Sequence, residues 1–174
     1  LDRVLRERSP AIVLAAEGAD FLEGDLGYLE RARAEGLSHL QLVHYYAPSM
    51  IGDISTAEAR HGGLSAFGRD LVRACNRLGI LVDVAHCSAA AMEQALEISA
   101  KPVIYSHGHV SAAMPQPSQA GSVARAIHAP IARRLAGKGG VVGLWPNGLV
   151  FADLEQYADA IVRTVEALGA SHVG

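Results

Sequence analysis

The sequence is poor in cysteine, lysine and long apolar runs, and each shortage excludes something. Two cysteines, Cys75 and Cys87, occur among 174 residues without C-x-x-C spacing, so no disulfide framework holds the chain. Free thiols fit a reducing compartment. A cytoplasmic location is therefore the expectation, although the chain opens at Leu1 and offers no native N-terminus to read. No apolar stretch approaches the roughly 20 residues of a membrane span. The longest, such as Ala11–Ala16, have the length of buried strands. A net charge of -3 provides no basic surface for nucleic acid or an anionic membrane. No glycine-rich turn of the dinucleotide-binding type follows any apolar run, which weakens a Rossmann assignment.

A core, by contrast, is present. Half of the residues are apolar and 19% are charged, which excludes disorder and suffices for one domain over residues 1–174. Short apolar runs alternate with amphipathic stretches. Strands are expected at Ala11–Ala16, Leu40–His44, Ile80–His86, Pro102–Ser106 and Val141–Trp145, with another beginning at His172–Val173. Leu1–Arg8 is expected to be the end of a helix, and further helices are expected over Asp25–Glu35, from a Ser65 cap to Leu78, after a Ser88 cap, over Ala129–Ala136, and from an Asp153 cap to Leu168. Cys75 falls on the apolar face of the Ser65 helix. Strand–helix alternation implies an α/β fold with a parallel sheet and helical crossovers, either doubly wound or closed as a barrel.

The position of the polar residues favours the barrel. Four expected strands run into Glu17, His44, His86 and His107. The carboxyl ends of barrel strands converge on one rim, where catalytic groups gather. Imidazole and carboxylate are the ligands of an open catalytic zinc site, and a carboxylate such as Glu17 can bridge two ions. One histidine at a strand end is more often a polar turn residue than a ligand; it is the coincidence of three with a glutamate that carries the argument. Asp83, three residues before His86, either bonds a histidine from within the barrel or bonds neighbouring backbone. His39 is expected on the opposite, stability face, and His61 as a solvated loop residue. His109 is placed where it could touch a substrate, His128 at a helix start and His172 at a strand entry. Arg125 lies in a polar loop, and spacing alone makes it a surface arginine.

Specific motifs then narrow the choice. EGAD (Glu17–Asp20), LVHYYAP (Leu42–Pro48), HGGLSAFGRDLVRACNRLGILVDVAHCS (His61–Ser88) and KPVIYSHGHVSA (Lys101–Ala112) resemble the membrane (renal) dipeptidase family of zinc metallopeptidases and its bacterial relatives. The resemblance implies a (β/α)8 TIM-type barrel of the metal-dependent hydrolase type, incomplete at both ends here. It implies two zinc ions, a dipeptide as substrate, and hydrolysis of its amide bond by a hydroxide bridging the ions. Glu17 matches the bridging glutamate, and His86 and His107 match the two histidines of one zinc. His44 matches the histidine that contacts substrate and steadies the tetrahedral intermediate. Arg125 aligns with the arginine that holds the substrate carboxylate. The family's His-x-Asp pair and its acid–base aspartate have no counterpart in this stretch, which is the expectation for an internal fragment that by itself lacks one metal site and the proton carrier. Two other readings stand beside this one. A metal-dependent amidohydrolase on another amide or ester would gain from a carbamylated lysine, but Lys101 and Lys138 fall at no carboxyl strand end. A non-catalytic barrel relative is the third. Homodimer formation is left open.

Overall fold

A computed structural model provides the structure and describes residues 6, 12–114 and 120–174. Four strands, β1 (Leu14–Glu17), β2 (Leu37–Gln41), β3 (Leu81–Asp83) and β4 (Val103–Ile104), form one sheet in the order β1-β2-β3-β4. All three pairings are parallel. The ladder then continues through single bridges, Tyr105 to Val142 and Val142 to Val173. Strands thus pair in chain order without a reversal. A doubly wound sheet reverses at a switch point, whereas a barrel progresses in one direction. The topology therefore selects an arc of a barrel. Most of the expected helix end at Leu1–Arg8 lies outside the described residues; Arg6 is helical.

The helices form where their caps dictate. Asp25 accepts from the amide of Gly27 and opens α1 (Leu26–Ala34). Ser65 accepts from Gly68 N at 2.9 Å and opens α2 (Ala66–Leu78), which Gly79 closes in the left-handed region at φ 68°. Ser88 caps α3 (Ala89–Ile98) through Ala91 N, and Asp153 caps α6 (Leu154–Leu168) through Gln156 N. Between them lie α4 (Ala120–Arg125) and α5 (Ala129–Gly137). His128 stands at the N-cap of α5 without a side-chain cap bond. Lys138 Nζ donates to the carbonyls of Leu96 and Ser99 and so ties off the C-terminal end of α3, away from the strand-end rim. Among the described residues no helix is long and apolar enough to cross a membrane.

The core lies between sheet and helices and holds Leu40, Leu42, Leu71, Cys75, Val82, Leu96, Val103 and Leu135, all at 1% exposure or less. Burial pushes the Cys75 thiol up to about 12 and that of Cys87 higher still, so both behave as core residues rather than nucleophiles.

Three expectations need correction. Val141–Trp145 forms no strand and pairs only through single bridges at Val142. The second strand is Leu37–Gln41 rather than Leu40–His44. His39 consequently sits within β2, where it bonds Asp83 in the barrel interior, and does not precede the strand on the far face. Arg125 ends helix α4 instead of lying in a loop.

The GLSAFG motif acquires a structural reason. Ser65 is the cap, and Gly68 packs directly against the carbonyl of Ile51, where a Cβ would collide. Alanine normally favours a helix interior over glycine by about 0.5–1 kcal/mol. At this position overpacking dominates, and Gly68→Ala is expected to destabilise the protein by about 1–3 kcal/mol. Equilibrium denaturant unfolding measures it; an unchanged or raised midpoint would show that the contact yields.

Candidate metal centre

The strands deliver their side chains to one rim. Glu17 is the last residue of β1, His44 follows β2, and His86 and His107 follow β3 and β4. Glu17 Oε1, His86 Nε2 and His107 Nε2 converge. His86 Nε2 lies 3.0 Å from His107 Nε2. Glu17 Oε1 lies 3.7 Å from His86 Nε2 and 3.5 Å from His107 Nε2. Ligand bonds of about 2.0–2.2 Å in a tetrahedral shell put neighbouring donor atoms about 3.2–3.6 Å apart. The observed separations of 3.0, 3.5 and 3.7 Å lie within a few tenths of an ångström of that range, so these three atoms are spaced to share one cation after a small adjustment. Two imidazole nitrogens facing each other at 3.0 Å need either a proton or a cation between them. With a cation there, His107 Nδ1–H donates to Ser106 Oγ, 2.8 Å away, which fixes the tautomer.

Backbone and burial prepare the histidines. His86 holds φ 66°, a left-handed conformation rare for a side chain of this size, and the chain turns sharply out of β3 there. Burial, aided by the charge of Arg125, holds the His86 imidazole down to about 3. His107 is also lowered, by burial first, although Asp83 and Glu17 pull the other way. Both rings are therefore neutral at physiological pH; the His86 Nε2 lone pair accepts from Arg125 Nη2 at 3.1 Å and turns to a cation when that bond is given up.

Around this triangle opens a cleft of about 350 Å³ lined by Glu17, His44, Tyr45, His86, His107, Arg125 and Trp145. His44 Nε2 stands 3.3 Å from Glu17 Oε1, and its ring packs edge-on to His86 with centroids 4.7 Å apart. Arg125 is stacked between two aromatic rings, its guanidinium carbon 5.6 Å from the centre of Tyr45 and 5.3 Å from that of Trp145. Its Nη1 donates to the Tyr45 hydroxyl at 2.8 Å, and its Nη2 reaches His86 Nε2 at 3.1 Å. The site thus combines a cation pocket, a half-exposed imidazole and a guanidinium within one opening.

All five residues singled out from the sequence, Glu17, His44, His86, His107 and Arg125, meet in this cleft. Tyr45 and Trp145 were missed as site residues. The available signal was position, since Tyr45 follows His44 directly and Trp145 ends the segment bridged to Tyr105. His109 is not in the cleft: it is 3% exposed and packs edge-on against Phe151. His61 bonds the Ser49 carbonyl and lines a separate cavity with Asp53. His172 occupies a 3-10 turn and bonds the carbonyl of Gly140.

An arc of parallel barrel with imidazoles and a carboxylate on its C-terminal rim defines a barrel of the metal-dependent hydrolase type. The profile of the Membrane dipeptidase family (Peptidase family M19) matches residues 1–174. The chain belongs to that family. It is similar to dipeptidase tcpJ of Claviceps purpurea, at 38% identity over 65% of this chain and 27% of that protein. It is also similar to dipeptidase verJ of Clonostachys rogersoniana, at 26% identity over 98% of this chain and 43% of that protein. The chain therefore spans less than half the length of these curated relatives. Among solved structures, an amidohydrolase from Pseudomonas aeruginosa superposes with a TM-score of 0.82 at 25% identity, covering 99% of this chain and 52% of that one. A metallo peptidase from Rhodobacter sphaeroides, liganded with a phosphinate mimic of the dipeptide L-Ala-D-Ala, shares the fold at TM-score 0.78 and 24% identity, over 93% of this chain and 48% of that one.

Burial also sets an acid dependence. His86 and His109 are held at about 3 and about 4, below their ordinary value of 6.5. Each binds its proton less readily folded than unfolded, so unfolding takes up protons between those values. Stability therefore falls as pH drops from 6.5 to about 3, the His109 share being spent by about 4. Thermal unfolding of the metal-free protein should show this decline, and His109→Phe should make it shallower. An unchanged slope in that variant would mean that His109 takes up its proton inside the fold.

Proposed function

We propose that this chain carries part of the catalytic centre of a zinc dipeptidase, with Glu17, His86 and His107 as ligands. The supporting observation is the triangle of donor atoms at 3.0–3.7 Å on the strand-end rim. Neutral nitrogen donors with one carboxylate and no thiolate are the donor set of an open catalytic zinc site. The Glu17 side chain is 52% exposed and its three histidine contacts all fall on Oε1, so Oε2 would be open to help hold a second zinc in a full-length enzyme that takes two ions. Zinc bound here would make water nucleophilic at neutral pH and polarise the scissile carbonyl.

The chain's own residues supply the remainder. Arg125, its guanidinium fixed by Tyr45 and flanked by Trp145, receives the substrate's terminal carboxylate in a charge-assisted pair. That anchors the dipeptide with its amide over the ligand triangle. His44, on the same wall, donates an N–H to the oxygen that gains charge as the carbonyl becomes tetrahedral. The similarity to an amidohydrolase at 25% identity favours one alternative substrate class, another amide or ester in the same cleft. A panel of dipeptides, N-acyl amino acids and lactones separates the two.

In the full-length protein, His86→Ala and His107→Ala should each abolish dipeptide hydrolysis and lower bound zinc. Zinc content and turnover that survive both changes would overturn the assignment. Arg125→Ala should raise KM for dipeptides with a free carboxylate about tenfold to hundredfold, from the loss of a charged hydrogen bond worth about 1.5–3 kcal/mol. Dipeptide amides should be affected far less. Equal effects on both would remove Arg125 from carboxylate recognition.

A further inference from the structure

Asp83 ends β3 and is 1% exposed. Its Oδ1 accepts from two backbone amides, Ala85 N at 2.9 Å and Ser106 N at 3.1 Å. Ala85 immediately precedes His86, and Ser106 immediately precedes His107. Its Oδ2 meets His39 Nε2 on β2 at 3.0 Å. Burial alone would raise this carboxyl, but the bonds from His39, Ser106 and Ala85 outweigh it and keep the group anionic.

The ladder explains why such a link is needed. Among the described residues, the last backbone bond between the β3 and β4 segments runs from Val84 N to the carbonyl of Ile104. Beyond it the chain turns away at His86, in its left-handed conformation, so regular parallel pairing cannot reach the two histidines. Nothing in the ladder then sets the distance between their rings. The Asp83 carboxylate extends the connection by one step, and a single oxygen holds the residue before each histidine.

We propose that Asp83 is a positioning residue for the metal centre, acting as the common acceptor that fixes the His86–His107 separation. The inference rests on those histidines being ligands. A shift of a few tenths of an ångström between the two nitrogens changes how well they share one cation. Groups that orient ligands in this way typically govern metal affinity by about tenfold to hundredfold.

The test compares Asp83→Ala with Asp83→Asn in the full-length protein. Asparagine keeps an oxygen for both amides; alanine does not. Zinc affinity is read by competition with a chelating indicator, and ligand geometry by the visible spectrum of the cobalt-substituted protein. Circular dichroism establishes folding. Asp83→Ala should weaken zinc binding about tenfold to hundredfold and shift the cobalt spectrum, while Asp83→Asn restores most of the affinity and the wild-type spectrum. A folded Asp83→Ala with wild-type affinity and spectrum overturns the proposal. So does an Asp83→Asn as weak as Asp83→Ala, because the charge facing His39 and not the shared acceptor would then matter. If alanine prevents folding, Asp83→Leu, which fills the same space without an acceptor, takes its place; failure of both to fold makes Asp83 a folding residue and also overturns the proposal. Zinc binding that persists in His86→Ala and His107→Ala would instead sink the metal assignment itself.

Discussion

The buried carboxylate of Asp83 joins three consecutive strands. It projects from β3, takes the ring of His39 on β2, and accepts the amide of Ser106 just past β4. A carboxylate at 1% exposure is tolerable only when its charge is met by hydrogen bonds, and here each oxygen has a partner. The consequence is geometric. Strands that pair in parallel and in chain order already end on one rim; the carboxylate ties the end of β3 to the segment just past β4 and to the middle of β2, where the β3–β4 backbone ladder runs out. The site's precision derives from this buried polar link beneath it, and the apolar packing behind the sheet supplies the stability against which it is held.

The convergence of these side chains was legible in the sequence because apolar runs lead directly into Glu17, His44, His86 and His107. The motif resemblance reached the same residues independently. Strand boundaries were less legible, and β2 shows why. Leu37–Gln41 reads LSHLQ, with polar residues that turn into the barrel interior, whereas LQLV further on forms a more continuous apolar run. An interior that contains a charged tether accepts His39 and Gln41, so an apolar-run criterion shifts the strand forward. Asp83 had two candidate partners, a histidine or nearby backbone, and the structure has both. Arg125 illustrates a different limit. Its part in the cleft depends on stacking between Tyr45 and Trp145, which are 80 and 20 residues away in the chain, and no local pattern announces such a contact.

Electrostatics in the cleft are arranged by neighbourhood more than by charge count. His86 sits beside a guanidinium and two other imidazoles, and burial keeps it neutral. The same guanidinium that disfavours a proton on His86 is held by a phenol and two ring faces, so it stays in place without a buried acidic partner. The cleft thereby brings together groups suited to a cation, to a carboxylate and to a developing oxyanion, each on a separate strand end or helix end. Dispersal over the sequence and convergence in space are both consequences of the barrel topology.

The two thiols provide a clock for this architecture. Cys87 is fully buried and directly follows a histidine of the rim, while Cys75 sits on the core-facing side of α2. Neither ionises readily in place, so a thiol-specific reagent reaches them only when the surrounding structure opens. The labelling rate at Cys87 reports how often the rim comes apart, and the rate at Cys75 how often the helix layer lifts. Two natural reporters, one under each layer, let local breathing be told apart from global unfolding without a single introduced probe.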